Sequence, residues 1–108
     1  MSELSRVIAS RSLTCLTDGH RKEVRVNLGE PFADNGAFTC PYEIVIGNDS
    51  SVLAIQGIDG IQALQLALFM VGSSLRSMKN ATDWRWANEA GSGFPSTLTE
   101  PHFGESSG

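Results

Sequence analysis

The stretch DGIQALQLALFMVGSSLRSMK, residues 59–79, decides the fold because it carries the one long helical pattern of the chain. Asp59 can accept the free N–H groups of a first helical turn, and Gln62 can reach back toward the cap, as in a capping box. Large apolar residues then recur at spacings of three and four: Ile61, Leu64, Leu68, Val71, Leu75 and Met78. This stripe predicts a helix over residues 60–79 that lies on a sheet.

The opposite side of the same predicted helix is also apolar, since three large side chains project there: Leu66, Phe69 and Met70. A helix that forms an outer layer is usually polar on that side, so these side chains need a cover. Three covers remain open: a second copy of the chain, its own C-terminal segment, or a foreign partner. The C-terminal segment would supply aromatic side chains: Trp84, Trp86 and Phe94.

Four runs before the helix have the composition of strands: residues 6–17, 23–28, 38–46 and 52–56. Asp18-Gly19 suits a hairpin turn between the first two runs, and residues 29–36 have the composition of a loop. Pro41 cannot donate to a ladder, so we expect it at a sheet edge, or pairing that begins only after it. These features predict an α+β fold with two layers, an antiparallel meander of about four strands covered by one long helix.

The overall composition predicts one soluble domain. The chain has 108 residues, of which 41% are hydrophobic, and its net charge is -4. The shortage of Lys and Arg argues against a nucleic-acid binder. No apolar run is long enough to span a bilayer, and the first residues lack the apolar core of a secretion signal. We therefore expect a cytoplasmic protein with no nucleic-acid and no membrane partner.

Composition also divides the chain into three parts. Residues 1–79 contain the predicted α+β domain. Residues 80–100 are rich in Gly, Ser, Thr and Asn and predict an extended arm or a short extra strand, in which Trp84 and Trp86 share one side. Residues 101–108 are predicted to form a disordered tail.

No residue pattern in the chain is typical of a catalytic or metal site. Cys15 and Cys40 lack zinc spacing and are expected to be small buried hydrophobes, with a disulfide between them as the alternative. His20 lies in a predicted turn, and a couple between it and either thiol lacks an orienting third group. We expect no enzyme activity, no catalytic residue, no metal and no cofactor.

Basic residues are concentrated near the start of the chain, where five of the eight precede Val26: Arg6, Arg11, Arg21, Lys22 and Arg25. This concentration is compatible with a solvated strand face. It is also compatible with a docking surface for an acidic partner, because charge complementarity speeds and orients association.

Cys40-Pro41-Tyr42 and the run GIDGIQALQLAL, residues 57–68, resemble a family of small, mostly bacterial single-domain proteins of uncharacterised function. The similarity covers residues 6–78, and Trp86 and the turn at Gly93-Phe94-Pro95 also fit the pattern. The resemblance implies a small α+β domain in which a strand meander is followed by a long helix. It supplies no catalytic residue.

These observations predict a non-enzymatic protein-interaction module that self-associates as a homo-oligomer, such as a homodimer; a foreign protein partner stays open. The candidate contact residues are Leu66, Phe69, Met70, Trp84 and Trp86. The alternative is a small-molecule-binding domain whose pocket lies between helix and sheet, lined by Phe38, Tyr42 and Met78.

Overall fold

The computed structural model describes residues 4–96, which form one antiparallel sheet with a helix on one face. The elements in this range are β1 (Val7–Thr17), β2 (His20–Gly29), β3 (Phe32–Asp34), β4 (Ala37–Ile46), β5 (Asp49–Gly57), α1 (Gly60–Arg76), β6 (Ala81–Trp86) and β7 (Glu89–Ala90). The α+β class is confirmed. The expectation of about four strands is too low, because β3 forms inside the expected loop and two strands follow the helix. The predicted tail, residues 101–108, lies outside the described residues.

Most strands of the sheet pair with a neighbour in sequence, and β6 joins the sheet after the helix. β1 and β2 are joined through Asp18 and Gly19, whose positive φ angles of 52° and 81° suit the tight turn expected there. β4 pairs with β5 on one side and with both β2 and β3 on the other. β6 returns after the helix to pair with β1, so the strand order across the sheet is β5, β4, β2, β1, β6, β7.

Pro41 lies in the middle of β4 without breaking the sheet. The two-residue hairpin between Ile46 and Asp49 closes on a hydrogen-bonded pair, so the even-numbered residues of β4 bond to β5 and residue 41 is directed the other way. On that side β2 pairs only as far as Tyr42 and β3 only from Thr39. Pairing with β2 therefore begins just after Pro41, as expected, while β5 continues past it opposite Ala54.

The core lies between α1 and one face of the sheet, and α1 packs directly on β4 and β5. Alternate residues of β1, β2 and β4 supply most of the sheet side of this core, as the pleat requires. The buried apolar side chains are Leu13, Cys15, Val24, Val26, Leu28, Cys40, Tyr42, Ile44, Ala63, Ala67, Val71 and Leu75.

Both ends of α1 have identifiable caps. Asp59 Oδ1 accepts a hydrogen bond from the Gln62 N–H at 2.8 Å, which confirms the expected cap. Gln62 also reaches back, but its Oε1 accepts a hydrogen bond at 2.7 Å from the N–H of Ile58, the residue before the cap, so the capping box forms in a variant of the expected geometry. The helix ends at Arg76, three residues before the predicted end, because Ser77 caps it. In the described residues no helix is long and apolar enough to cross a membrane.

The buried stripe of α1 is rotated from the predicted one. Ile61 was expected against the sheet but is 71% exposed, whereas Ala63 and Ala67 are fully buried. Gly57 at the end of β5 gives the reason, because a Cβ atom there would lie 2.5 Å from the Ala63 nitrogen. The first turn of the helix thus rests directly on the strand, and only small side chains fit between them.

Gly57→Ala is expected to destabilise the fold by about 1–3 kcal/mol, because the added methyl group overlaps the main chain of Ala63. Gly60→Ala is the matched control, since a Cβ atom there lies 3.7 Å from its nearest neighbour and alanine favours the helix. Urea unfolding of both variants measures the difference. Equal stability of Gly57→Ala and the unmodified chain would show that the helix does not depend on this contact.

Candidate interaction surface

The three helical candidates, Leu66, Phe69 and Met70, are all half-buried. Met70 packs against the core, which corrects the expectation that it projects outward. Phe69 is directed away from the sheet, because residues two positions apart lie almost opposite each other on a helix and Ala67 and Val71 are buried against the sheet. Their role as contact residues stays a prediction.

The two flanks of α1 face different parts of the molecule. Leu68 borders a small cavity together with residues of β1 and β2 and with Phe94, and Gly72 lies against Phe94 as well. Leu66 and Met70 are two positions from Leu68 and Gly72, so they lie on the opposite flank. Since α1 packs on β4 and β5, this second flank is the one beside β5.

Both candidate tryptophans are half-buried and pack against the core from β6. The Arg11 guanidinium stacks on the Trp86 ring at 3.7 Å and lies 4.9 Å from the Phe94 ring. Arg11 Nη1 also donates a hydrogen bond to the Ser92 carbonyl at 3.0 Å. Such cation–π contacts contribute about 0.5–2 kcal/mol each. Arg11, which sequence reasoning placed only in a basic cluster, thus fixes the segment after β7 onto the sheet.

Gly93 completes this stack. Its φ of 79° lies in the region that favours glycine, and a Cβ atom there would fall 2.6 Å from Trp86 Nε1. The indole N–H is buried and has no hydrogen-bond partner within residues 4–96. The chain therefore gives up one hydrogen bond to place the segment close to the indole ring.

A bulge in β6 organises a second group of charges. Between Thr14↔Arg85 and Leu16↔Thr82 the register shifts, and Asp83 takes a φ of 51°. Its carboxylate accepts hydrogen bonds from Arg21 Nη2 at 2.8 Å and from Arg85 Nε at 3.1 Å. The hydrogen bond from Arg21 is the main cause that lowers the pKa of Asp83, and Arg85 adds to it.

The outer side of β5 is an edge of the sheet, because within residues 4–96 this strand pairs only with β4. The odd-numbered residues of β5 bond to β4, so the N–H and C=O groups of Ser50, Val52, Ala54 and Gln56 point outward. Leu53 is 48% exposed at the centre of the strand. Natural edge strands are usually protected by Lys, Pro or short length, and β5 has none of these over its nine residues.

Other exposed large apolar residues gather at one end of the molecule, where β1 and α1 begin: Val7, Ile8, Phe32, Ile58 and Ile61. Ile58 and Ile61 flank the cap of α1 and are the most exposed of the group. These residues belong to element ends and a three-residue strand, so no continuous row of main-chain groups accompanies them. Their apolar surface alone does not define the shape of a partner.

Both cysteines are core residues. Cys15 and Cys40 are both free and fully buried, so the disulfide alternative is wrong in this structure. Burial raises the pKa of the Cys40 thiol, whose Sγ lies 3.5 Å from the Gly29 carbonyl. His20 is exposed in the first hairpin, whereas both cysteines are buried. In the described part of the chain no three His, Cys, Asp or Glu side chains are grouped to hold a metal ion.

Within residues 4–96, cavities lie at two places between the helix and the sheet. One measures about 160 Å³ and is lined by Leu68 and Phe94 together with residues of β1 and β2. The other measures about 480 Å³ and lies between the end of α1, at Leu75, and the strands β6 and β7. Small-ligand pockets usually measure about 300–1,000 Å³. Neither cavity has the expected lining residues, Phe38, Tyr42 and Met78, so a ligand-binding function at the expected place stays a prediction.

One comparison with known proteins gives a match: a family model described as Domain of unknown function (DUF6968) matches residues 9–96. No curated protein and no solved structure matches the chain. The matched range contains the capping box, the Gly57 contact and the Arg11–Trp86–Phe94 stack. It therefore extends further toward the C-terminus than the main resemblance, residues 6–78.

Asp83→Asn is expected to reduce stability at neutral pH, because it removes a charge that two arginines bind while asparagine still tolerates the positive φ. The lowered pKa of Asp83 means that its stabilisation is present above the ordinary value of 3.8 and is lost as the pH falls through the lower folded value. Urea unfolding from pH 7 downward should show the two stability curves converging in acid. The control is Asp49→Asn, since Asp49 makes no ion pair within residues 4–96; a gap for Asp83→Asn that does not change with pH would contradict the assignment.

Proposed function

This chain belongs to the family described as Domain of unknown function (DUF6968), and from its geometry we propose that it is a non-enzymatic protein-interaction module that forms a homodimer through the outer edge of β5. The observation that carries this proposal is the unprotected row of main-chain groups on that strand. An unpaired edge of this length is a template for a further strand.

A second copy fits the edge in an antiparallel register about a twofold axis at Leu53. In that register Val52 lies opposite Ala54 of the partner subunit, and Ser50 lies opposite Gln56 of the partner subunit. All four of these residues direct their main-chain groups outward, so the pairing forms about eight hydrogen bonds. The same surface meets itself, as a closed dimer requires.

Charge also permits this pairing. Asp49 is the only charged residue of β5, and in the proposed register it lies opposite Gly57 of the partner subunit. No two like charges meet, which would be destabilising across a strand pair. The two Leu53 side chains, each 48% exposed in one copy, meet at the axis and bury each other.

The two copies of α1 would also contact each other in this dimer. Since α1 packs on β4 and β5 and neighbouring strands lie about 4.8 Å apart, the two copies of α1 would lie side by side at about 10 Å, a usual helix-packing distance. The flank with Leu66 then faces the partner, and Phe69 lies beside it. Trp84 and Trp86 lie on β6, on the far side of β4, β2 and β1, and take no part in this interface.

We place the homodimer in the cytoplasm, because two buried unpaired thiols fit a reducing compartment. The alternative partner is a foreign protein that adds an extended strand to the same edge of β5. It is separated from the homodimer by the test below, which uses only the purified chain.

Ala54→Pro tests the proposal most directly. The Ala54 N–H points outward, so proline removes a donor from the free edge and leaves the ladder between β4 and β5 intact. Sedimentation equilibrium should show a concentration-dependent dimer for the unmodified chain and a monomer for Ala54→Pro. Leu53→Lys, which brings two ammonium groups together at the axis, should also give a monomer.

Ala54→Ser is the matched control, because it changes the same exposed side chain and keeps the N–H; it should dimerise as the unmodified chain does. Far-ultraviolet circular dichroism checks that every variant is folded. An unmodified chain that stays monomeric at millimolar concentration would overturn the homodimer, as would a folded Ala54→Pro variant that dimerises with unchanged affinity.

A further inference from the structure

We propose that the uncovered face of the sheet holds a site for a small organic acid, in a depression formed by β1, β2 and β6 that is independent of the β5 edge. The depression has a volume of about 520 Å³, which lies within the usual range of small-ligand pockets. Val45 of β4 also borders the depression, and Lys22 lines it with main chain, because it lies opposite the buried Cys15 and its side chain is directed to the helix side. The polar side chains on the uncovered face come from three strands: Ser12, Thr14, Glu23, Arg25 and Arg85.

Strand register explains why these side chains share one face. Thr14 lies opposite Glu23 on β2 and opposite Arg85 on β6. Ser12 lies opposite Arg25 on β2. The alternating neighbours of these residues, such as Leu13, are buried on the helix side, so they contribute main chain to the floor of the depression.

The two arginines supply unused donors. Asp83 holds Arg85 through Nε at 3.1 Å, and neither Nη atom of Arg85 makes a hydrogen bond within residues 4–96. Arg25 makes no hydrogen bond and no ion pair in the same range. Planar guanidinium groups with free Nη donors bind carboxylates in a bidentate manner. The depression therefore offers two such groups to one anion, and Asp83 orients one of them.

The other side chains narrow the class of ligand. The hydroxyl groups of Ser12 and Thr14 can donate to a bound carboxylate from the floor. Glu23 lies on the same wall and would repel a ligand with several negative charges. Its carboxylate would accept a hydrogen bond from a hydroxyl or ammonium group on the ligand. A small carboxylic acid that carries one such donor, as hydroxy acids and amino acids do, matches this arrangement.

The test is a titration of the full chain with L-lactate, a hydroxy acid with a single carboxylate, at constant ionic strength, followed by amide chemical shifts in NMR. We expect saturable shifts confined to residues 12–14, 23–25 and 85–87. Arg25→Gln should weaken binding about tenfold or more, because it removes a charge-assisted contact. Lys79→Gln is the matched control, since it makes the same change in net charge outside the depression and should leave the affinity unchanged.

Propionate, which lacks the hydroxyl group, should bind more weakly than lactate, and Glu23→Gln should reduce that difference. The amide spectrum of each variant shows whether it is folded, so a loss of binding is separated from a loss of structure. The proposal is overturned if lactate causes no saturable shift at millimolar concentration. It is also overturned if Arg25→Gln and Lys79→Gln weaken binding equally, which would mean that only net charge attracts the acid.

Discussion

The first turn of α1 touches the end of β5 with almost no side chain between them. Gly57 leaves room for the main chain of Ala63, and Ala63 and Ala67 are small enough to let the helix continue along the sheet at close range. The capping box of Asp59 and Gln62 begins the helix at the point where this contact requires it. Because the packing is close, the helix cannot shift along the sheet, and the contact fixes it over β4 and β5.

A helix placed over one side of a wide sheet leaves the other side of the core face uncovered. The chain after the helix solves this problem with aromatic side chains. Trp86 and Phe94 enclose the Arg11 guanidinium, and the segment 92–96 packs against Gly72 of the helix. The two halves of the core are thus covered by different means, an aliphatic helix at β5 and an aromatic stack at β1. As far as residues 4–96 are concerned, the edge of β5 and the sheet face opposite the helix have no cover.

Local chemistry made part of this structure predictable. The helix, its cap and four of the strands follow from periodicity and turn residues, which act over a few positions. The buried side of α1 could not be predicted in the same way. Its orientation depends on the contact of Gly57 with Ala63, which are small residues, whereas the apolar pattern is defined by the large side chains. The stack of Arg11 on Trp86 joins distant residues and leaves no local pattern. Likewise, the order of strands in the sheet decides which strand lies at an edge, and this order is not visible in a local pattern. The sequence therefore predicts that β5 is a strand but not that it is an edge strand.

Pro41 has a consequence for how the strands find one another. It lies where β2 stops and β3 starts, and Gly29 lies so close that a Cβ atom there would fall 2.8 Å from the proline ring. If β2 slipped along β4 toward Thr39, a carbonyl group would face a nitrogen that carries no hydrogen. This slip would therefore lose a hydrogen bond as soon as it began. Pro41 thus favours one register of β2 on β4 while the sheet forms.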